Sequence, residues 1–499
     1  MTSASGEDLS IGVAWRATMM ANSSRDPYWQ ASVRRETIDH PRAAHEIEDE
    51  CSTCHMPMSH TAARAAGTPA SVFAHLPQAA RPGAAQPDAL SRLAQDGVSC
   101  TLCHQITPGN FGSPGSFSGG FTIDTKTPAE ARPLFGPFTP DPALQKVMHS
   151  ATGFRQTEGA HVRQSELCAT CHTLYTTARD RAGQAVGRFP EQVPFQEWQH
   201  SIYVESASCQ TCHMPAIAGE APIASVLGQP RAGARKHSFV GGNFFVLAML
   251  NRFRDALGVE ALPAELEQAS ASTLAHLEES TARLTIDRAA SDGRQLTVDV
   301  SIANLSGHKL PTAYPSRRAW IRLIVRDGSG RTVFSSGALR PSGAIEGNAN
   351  DEQPAAFEPH YREIRRGDQV QIYESILADG AGAITTSLIS ALRYAKDNRL
   401  LPKGFDKHTA HADIAVHGDA RDDADFTSGG DRVRYAVDLA GASAPFTVEA
   451  ALLFQPIGFR WADNLRGYPA DEPSRFVRYF DAMSSQSAAP LATASATVR

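Results

Sequence analysis

The sequence predicts an α+β, multidomain protein with an irregular, helix-poor N-terminal module, a helical connector and a C-terminal antiparallel β-sandwich. Its 499 residues, of which 42% are hydrophobic, are enough for two to three buried cores. One short cysteine motif recurs only within residues 51–213, and after Ala282 the hydrophobic period changes from that of a helix to two. These observations predict domains at 1–240, 241–282 and 283–465, with a C-terminal tail at 466–499.

The recurring motif is Cys-x-x-Cys-His, and it uses every cysteine of the chain. Its four copies are Cys51/Cys54/His55, Cys100/Cys103/His104, Cys168/Cys171/His172 and Cys209/Cys212/His213. This is the attachment sequence of c-type haem, in which each cysteine bonds a porphyrin vinyl group and the histidine ligates iron. Since 18 of the 499 residues are histidine, four C-x-x-C pairs would all precede His by chance about twice in a million. The sequence therefore predicts four c-type haems with iron.

Two other uses of paired cysteines are open to the sequence. Two Cys₄ zinc sites would explain the pairs, but not the four histidines. A disulfide framework would explain the even cysteine count, but it has no reason to repeat one pentapeptide. Haem is the preferred interpretation because it gives every residue of the motif a chemical role.

The remainder of the first module is rich in Gly and Pro, with only short predicted helices such as 195–203. Such a chain buries little apolar surface of its own, so the porphyrins must supply much of the core. From Gly241 to Thr281 the pattern is helical, and Gly258 and Pro263 separate two predicted connecting helices.

The C-terminal half alternates apolar and polar residues. Strands are predicted in ARLTIDRA, RQLTVDVSIANL, RAWIRLIVRDG, RTVFSSGAL, DQVQIYESIL, RVRYAVDL and FTVEAALLFQPI, with Asp-Gly and Gly-Ser-Gly turns between some of them. The interrupting segment SLISALRYAKDNRLLPKGF is predicted to be a helix and a loop. The last thirty or so residues are predicted to be loosely ordered, apart from a short helix at 472–483.

The second axial position of each iron decides between an electron carrier and a catalyst. Five further histidines are predicted as axial metal ligands from their positions near the motifs or in exposed turns: His60, His149, His161, His237 and His308. The remaining histidines are less favoured. Methionine is the competing ligand type, with Met19 and Met20 as weak candidates, while Met56, Met58 and Met214 are expected to pack on the haem rings.

An acidic loop, HGDARDDADFTSGGD, forms a second cluster of potential ligands, with Asp419, Asp422, Asp423, Asp425 and Asp431. Oxygen-rich Asp/Gly loops can hold Ca²⁺. The spacing matches no EF-hand, so a solvated hairpin loop is the preferred interpretation.

The charge balance limits the kinds of partner. With 47 basic and 53 acidic residues the formal net charge is −6, which gives no general attraction for nucleic acid or an anionic membrane. The longest apolar run, 244–250, is too short to span a bilayer, which takes about 20 residues. No export signal is visible at the N-terminus. Haem attachment of this type occurs outside the bacterial cytoplasm, so we nevertheless expect a periplasmic, extracellular or cell-surface protein.

In several segments the chain resembles the multihaem c-type cytochromes. They are MMANSSRDPYWQASVRRE, ECSTCHMPM, DGVSCTLCHQI, SELCATCHTLY and SCQTCHMP in the first half, and SGHKLPTAYPSRRAWIRL, KDNRLLPKGF and LLFQPIGFRWADNL in the second. The resemblance is to bacterial tetrahaem cytochromes with a C-terminal β domain, and to the tetrahaem electron carriers of nitrifying bacteria. It implies stacked, mostly bis-His haems and assigns the motif residues as above, but it transfers no distal ligand.

The resemblance also extends to relatives that reduce nitrite or oxidise hydroxylamine. Those usually carry more haems, and the nitrite reductases often have a Lys-containing attachment motif that is missing here. The expected function is therefore electron transfer between redox partner proteins, with self-association into an oligomer or filament left open. Two alternatives remain: an oxidoreductase with one open haem acting on a small nitrogen or sulfur compound, and a binding role for the β domain.

Overall fold

Helices and strands share the chain in comparable amounts. The structure is a computed structural model that describes residues 1–2, 6, 8–76, 87–224 and 228–499. It is 34% helical and 26% strand with several separate sheets, which confirms the predicted α+β class. None of the helices in these ranges is both long enough and apolar enough to cross a membrane.

The α-helices of the described residues lie mostly in the first 280 positions. They are α1 (Ile11–Arg16), α2 (Pro27–Asp39), α3 (Ala44–His55), α4 (Pro57–Ala65), α5 (Ala89–Gln95), α6 (Cys100–Cys103), α7 (Pro142–Thr152), α8 (Ser165–His172), α9 (Pro194–Gln199), α10 (Cys209–His213), α11 (Phe244–Arg252), α12 (Arg254–Leu257), α13 (Pro263–Ser280), α14 (Ala349–Glu352), α15 (Phe459–Asp463) and α16 (Asp471–Asp481).

Strands occur along the whole described chain, and those of nine or ten residues all lie after residue 280. They are β1 (Ile106–Thr107), β2 (Thr122–Ile123), β3 (Pro133–Gly136), β4 (Arg155–Glu158), β5 (Leu174–Arg179), β6 (Ala185–Gln192), β7 (Glu220–Pro222), β8 (Pro230–Ala232), β9 (Ala282–Ser291), β10 (Gln295–Asn304), β11 (Arg318–Arg326), β12 (Thr332–Ser336), β13 (Glu363–Ile364), β14 (Ile372–Tyr373), β15 (Ser375–Asp379), β16 (Ile384–Thr385), β17 (Ala391–Asp397), β18 (Gly430–Asp438), β19 (Phe446–Gln455) and β20 (Ala489–Val498).

The chain divides into two compact units whose borders differ from the predicted domains. The first unit is Met1–Leu174 with Ala207–Thr273, and the second is Tyr175–Ser206 with Leu274–Arg499. Residues 175–206 therefore belong with the C-terminal half rather than with the cysteine motifs around them. The predicted connector does contain helices, α11 to α13, and α13 runs from the first unit into the second.

The first unit holds more helix than the helix-poor module that was expected. Asp-Pro pairs start two of its longest helices. The Asp26 carboxylate accepts hydrogen bonds from the backbone N–H groups of Tyr28 and Trp29, and Pro27 opens α2. Asp141 caps α7 in the same way. Aspartate at the N-cap followed by proline is a strong helix start, so the high Pro content here marks helix beginnings as well as loops.

Two mainly antiparallel sheets form the core of the second unit. One has the order β13-β18-β10-β9 and the other β12-β11-β19-β20, with β14 also paired to β11. Side chains of both sheets share one core, since the Phe334 ring in β12 meets the Tyr435 ring in β18 at 6.2 Å. Trp320 in β11 is fully buried and donates its indole N–H to the Gly337 carbonyl at 2.9 Å.

Two predictions for the C-terminal half were wrong. The segment expected to be a helix and a loop contains strand β17, which pairs with β15 and buries Tyr394 against Phe189. The tail expected to be loosely ordered forms β20, an edge strand paired with β19 along most of its length. The helix predicted at 472–483 is confirmed as α16.

The second unit also buries a network of charged side chains. Lys309 Nζ lies 2.7 Å from Asp397 Oδ2, and the Arg399 guanidinium lies 2.8 Å from the same oxygen. The other end of Arg399 reaches Glu197 Oε1 at 3.0 Å. Burial alone would raise the pKa of Asp397, but the charges of Arg399 and Lys309 outweigh it and hold that pKa below its usual range.

Candidate haem sites

Each of the four motifs forms one turn of helix in the first unit. The first motif ends α3, the second begins α6, the third ends α8 and the fourth makes up α10. In a helix, residues three apart lie on the same face, so both sulfurs of each motif project to one side. The histidine that follows the second cysteine continues the same turn. This is the local geometry that double attachment of a porphyrin requires.

Three of the four motif histidines have the same ring nitrogen bound to a backbone carbonyl. The Nδ1 atoms of His55, His104 and His213 lie 3.3, 2.5 and 2.7 Å from carbonyl oxygens of the residues Ser23, Phe135 and Val240, respectively. A carbonyl oxygen only accepts, so the hydrogen is on Nδ1 and the lone pair is on Nε2. Metal-bound histidines are generally held this way, which leaves Nε2 ready to bind iron.

The first of these histidines is also fixed by an aromatic ring. The Trp29 indole stacks on the His55 imidazole with ring centres 4.5 Å apart and planes 5° apart. Burial lowers the pKa of His55 to about 4, so the imidazole is neutral at ordinary pH and keeps its lone pair available. His172 lies at the end of α8 and is exposed.

The sulfur atoms of different motifs lie close together around the third motif. Cys171 lies close enough to Cys54 of the first motif for the two thiols to influence each other's pKa, and the same holds for Cys168 and Cys209 of the fourth motif. Cys103 of the second motif lies within electrostatic range, since a negative charge on Cys171 raises the pKa of Cys103 and a negative charge on Cys103 raises that of Cys168. In a haem-bound protein each sulfur is a thioether, for which the thiol stands in here. The third attachment site thus adjoins the other three.

This arrangement bears on the zinc and disulfide alternatives. Within the described ranges, the group of three or more His, Cys, Asp or Glu side chains with metal-binding spacing is His360, Asp423 and Asp431, and it includes no cysteine. The thiols therefore do not form a Cys₄ tetrahedron. The sulfur pairs between motifs would permit disulfides, but a disulfide gives no role to the shared Nδ1 geometry of the histidines.

His237 is the predicted distal ligand that the structure brings to a motif histidine. Its ring centre lies 6.4 Å from that of His104, with the planes 26° apart. If these two imidazoles held one iron from opposite sides, with about 2.0–2.1 Å from metal to nitrogen and about 1.2 Å from nitrogen to ring centre, their centres would lie about 6.4 Å apart. The Nδ1 of His237 is buried without a hydrogen-bond partner among the described residues. Burial lowers the pKa of His237 to about 4, and a smaller effect of the Arg235 backbone in the opposite direction does not reverse this.

Three other predicted ligands in the first unit have their Nε2 atoms engaged elsewhere. The Nε2 of His161 lies 2.9 Å from the Ile106 carbonyl, and that of His149 lies 2.6 Å from the Glu130 carbonyl. Both therefore carry hydrogen on Nε2. His60 Nε2 lies 3.2 Å from Thr53 Oγ1, inside the first motif. The structure does not pair these three rings with a motif histidine as it pairs His237.

His308 lies in the second unit and shares the tautomer of the motif histidines. Its Nδ1 donates to the carbonyl of Lys309 at 2.9 Å, so the lone pair is on Nε2. Asn304 also donates to the His308 carbonyl at 2.9 Å and holds the turn. Its role as an axial ligand stays a prediction.

The acidic loop folds differently from a solvated hairpin. Asp423 and Asp431 are buried with His360, whose Nε2 lies 3.2 Å from Asp423 Oδ2 and 3.8 Å from Asp431 Oδ2. The His360 Nδ1 accepts from amide groups of Gln371 and Asn398 at 2.8 and 3.1 Å. With Nδ1 accepting, Nε2 carries the hydrogen and donates to Asp423. We therefore interpret the cluster as a closed hydrogen-bond network, and not as a cation site.

This network predicts a pH effect on stability. Burial raises the pKa of Asp431 from 3.8 to about 6, so the stability it contributes is complete below its unfolded pKa and is lost as pH rises through about 6. Asp431→Asn keeps an acceptor for the Tyr373 hydroxyl, which donates to Oδ2 at 2.7 Å, but cannot ionise. In the wild-type protein this titration should lower the free energy of unfolding between pH 4 and 8. In Asp431→Asn, measured by urea unfolding, that fall should be smaller by about 1–3 kcal/mol. An unchanged pH profile would contradict this.

Several residues of the site lay outside the sequence prediction. Main-chain carbonyls orient three motif histidines, and a backbone group leaves no residue-type signal. Met58 was expected to pack on its own ring, but its sulfur accepts from the Ser99 hydroxyl at 3.2 Å, beside the second motif. Trp29 could have been noticed, since it follows the Asp-Pro signal that starts α2.

Comparison with solved structures places this fold beside a known cytochrome. The chain aligns with a penta-haem cytochrome c552 from Thermochromatium tepidum over 98% of its own length and 95% of that chain, with a TM-score of 0.52 and 16% sequence identity. The two chains share a fold. No protein-family model matches the sequence, and no curated protein matches it.

Proposed function

We propose that this protein is a four-haem c-type cytochrome that transfers single electrons between partner proteins outside the cytoplasm. The observation that carries the proposal is the pairing of His104 with His237 at the spacing of two imidazoles on one iron. The structural likeness to a penta-haem cytochrome supports it. The number four comes from the four motifs of this chain, and a relation to the tetrahaem carriers of nitrifying bacteria is part of the same proposal.

The residues of the chain have distinct roles in this function. The eight cysteines hold the haems covalently, so that the cofactors stay in place at any oxidation state. Carbonyls of Ser23, Phe135 and Val240 set the tautomer and direction of three proximal histidines. When bound, each haem supplies a one-electron Fe(III)/Fe(II) couple. A reduced donor protein loses one electron and an oxidised acceptor gains it.

The proximity of the attachment sites to one another indicates the electron path. Sulfurs of the third motif adjoin those of the first, second and fourth motifs. The third haem would therefore be a junction from which the other three are reached, and not one link in a sequence-ordered chain. Its proximal residue, His172, is exposed.

The proposed location and partners follow from attachment chemistry and charge. Covalent haem is added outside the bacterial cytoplasm, so we place the working protein in the periplasm or at the cell surface. The formal charge of −6 becomes more negative with two propionates on each haem, which favours brief docking to basic redox partners. Assembly with further copies of the chain belongs to the same proposal.

Electron paramagnetic resonance of the oxidised, haem-loaded protein tests this function. The protein should be produced with an export signal in a host that attaches c-type haem. Four low-spin ferric centres per chain are expected, because six-coordinate irons leave no position for a substrate. A high-spin centre in the wild-type protein would contradict pure electron transfer and would favour an oxidoreductase acting at that open iron.

A further inference from the structure

The loop at Ser118 and Gly119 lies between the first and third haem-attachment helices. The N–H of Gly119 donates to the Thr170 carbonyl at 2.6 Å, and that of Ser118 donates to the Thr173 carbonyl at 2.8 Å. Thr170 lies between the two cysteines of the third motif, and Thr173 follows its histidine. The loop is thus bound to α8 by its main chain.

The opposite side of the same glycine faces the first motif. A Cβ atom added at Gly119 would lie 2.1 Å from Cγ2 of Thr53 and 3.7 Å from the sulfur of Cys54. Thr53 is one of the two residues between the cysteines of the first motif and directly precedes Cys54. The glycine therefore separates the two attachment helices by the thickness of one backbone, with no room for a side chain.

The Thr53 side chain cannot easily move away from Gly119. The hydroxyl of Thr53 donates to the Asp49 carbonyl at 3.1 Å and lies 3.2 Å from the His60 ring, so its stiff β-branched side chain keeps the methyl group directed at Gly119. Gly119 has φ +78° and Ser118 has φ +53°, a left-handed conformation that non-glycine residues adopt at a cost. The loop can therefore pass between the two helices only with glycine at position 119.

The first and third motifs, between which the loop lies, also have side chains close to each other. The thiols of Cys54 and Cys171 influence each other's pKa, and His55 and His172 are close enough for their charges to interact. We propose that Gly119 is a positioning residue that sets the approach of the first and third haems, and with it the rate at which they exchange an electron. This inference rests on the proposed haem function.

The test is the variant Gly119→Ala in the haem-loaded protein. The methyl of Thr53 would have to retreat by about 1.4 Å to reach ordinary contact distance, which moves α3 away from α8. Electron exchange between the first and third haems, measured from NMR line shapes of the partly reduced protein, should slow several-fold, because the rate of electron transfer falls steeply as the distance between the haems grows. The magnetic interaction of the two ferric centres should weaken in parallel.

Two further variants separate this role from general damage. Gly112→Ala introduces the same backbone penalty, since Gly112 has φ +72° in the same segment, but its Cβ would meet only Glu166 Cγ at an ordinary 3.7 Å. Its exchange rate should equal that of the wild type. Gly119→Ala combined with Thr53→Ser removes the opposing methyl and should restore the exchange. Wild-type exchange in Gly119→Ala, or slow exchange in Gly112→Ala, would overturn the proposal.

Haem content keeps the outcomes distinct. Fewer than four haems in the wild-type protein would refute the proposed function itself, before any variant is compared. If Gly119→Ala binds fewer haems than the wild type, the single variant Thr53→Ser becomes the deciding test of the positioning role. It removes the methyl group from the same contact and introduces no clash. An altered exchange between the first and third haems would then support the positioning role, and a wild-type exchange rate would overturn it.

Discussion

Replacing His237 with alanine is expected to convert one of the four proposed ferric haem centres from low spin to high spin. The residue lies 6.4 Å, centre to centre, from the proximal His104, and its buried Nδ1 has no hydrogen-bond partner among the described residues. Alanine leaves the sixth position of that iron without a protein ligand. Electron paramagnetic resonance should show about a quarter of the total haem in the high-spin state.

Two companion variants sharpen the expected result. His237→Met keeps a sixth ligand, so the centre should stay low spin while its reduction potential rises, as for Met/His haems in general. His149→Ala removes a histidine whose Nε2 is bound to the Glu130 carbonyl, and it should leave all four centres low spin. Four low-spin centres in His237→Ala would remove His237 from the ligand set.

Replacing Asp397 with alanine is expected to destabilise the second unit by about 3–5 kcal/mol. The variant removes the carboxylate that faces both Lys309, whose side chain is fully buried, and Arg399, and it leaves Arg399 paired with Glu197. An uncompensated buried charge is much more costly than a lost surface pair. Urea unfolding followed by the circular dichroism of the β-sheets measures the loss.

The matched control is a pair of the same chemistry at the surface. Arg340 and Glu352 lie 3.6 Å apart with about half of each side chain exposed, so Glu352→Ala should cost under about 1 kcal/mol.

The pKa of Asp397 is held below its usual range, so the stability that it contributes is lost only in strong acid. The effect of Asp397→Ala should therefore be constant from pH 5 to 8, unlike that of Asp431→Asn. A loss of unfolding free energy under about 1 kcal/mol in Asp397→Ala would contradict the role proposed for this network.

The proposed haem attachment sites can be read from sequence because their chemistry is local. Two cysteines and a histidine within five residues carry the whole signal, and each motif does form a helical turn. The distal ligands carry no comparable local signal, so the sequence offered five candidate histidines, among them His237, without showing which motif each would face. His237 is 133 positions from His104 in the sequence, so the fold of the chain and not the spacing of the residues brings the two rings together.

The errors in the β half have a related cause. The segment of β17 is rich in Leu, Ala, Arg and Lys, which favour helices, yet pairing with β15 and packing on Phe189 make it a strand. The segment of β20 consists of small residues with little hydrophobic pattern, and it is ordered by its partner β19. Strand formation of this kind depends on distant residues, so local propensity gave the wrong answer at both places.

The most direct test of the account is the intact mass of the purified protein, measured in denaturing solvent after export in a host that attaches c-type haem. Covalent thioethers survive denaturation, whereas ligands held only by iron coordination are lost. We predict a mass equal to that of the polypeptide plus four haems, and a stepwise loss of one haem when both cysteines of any one motif are replaced by alanine. A mass equal to the bare polypeptide, or one lowered only by the hydrogens of four disulfides, would contradict the central claim.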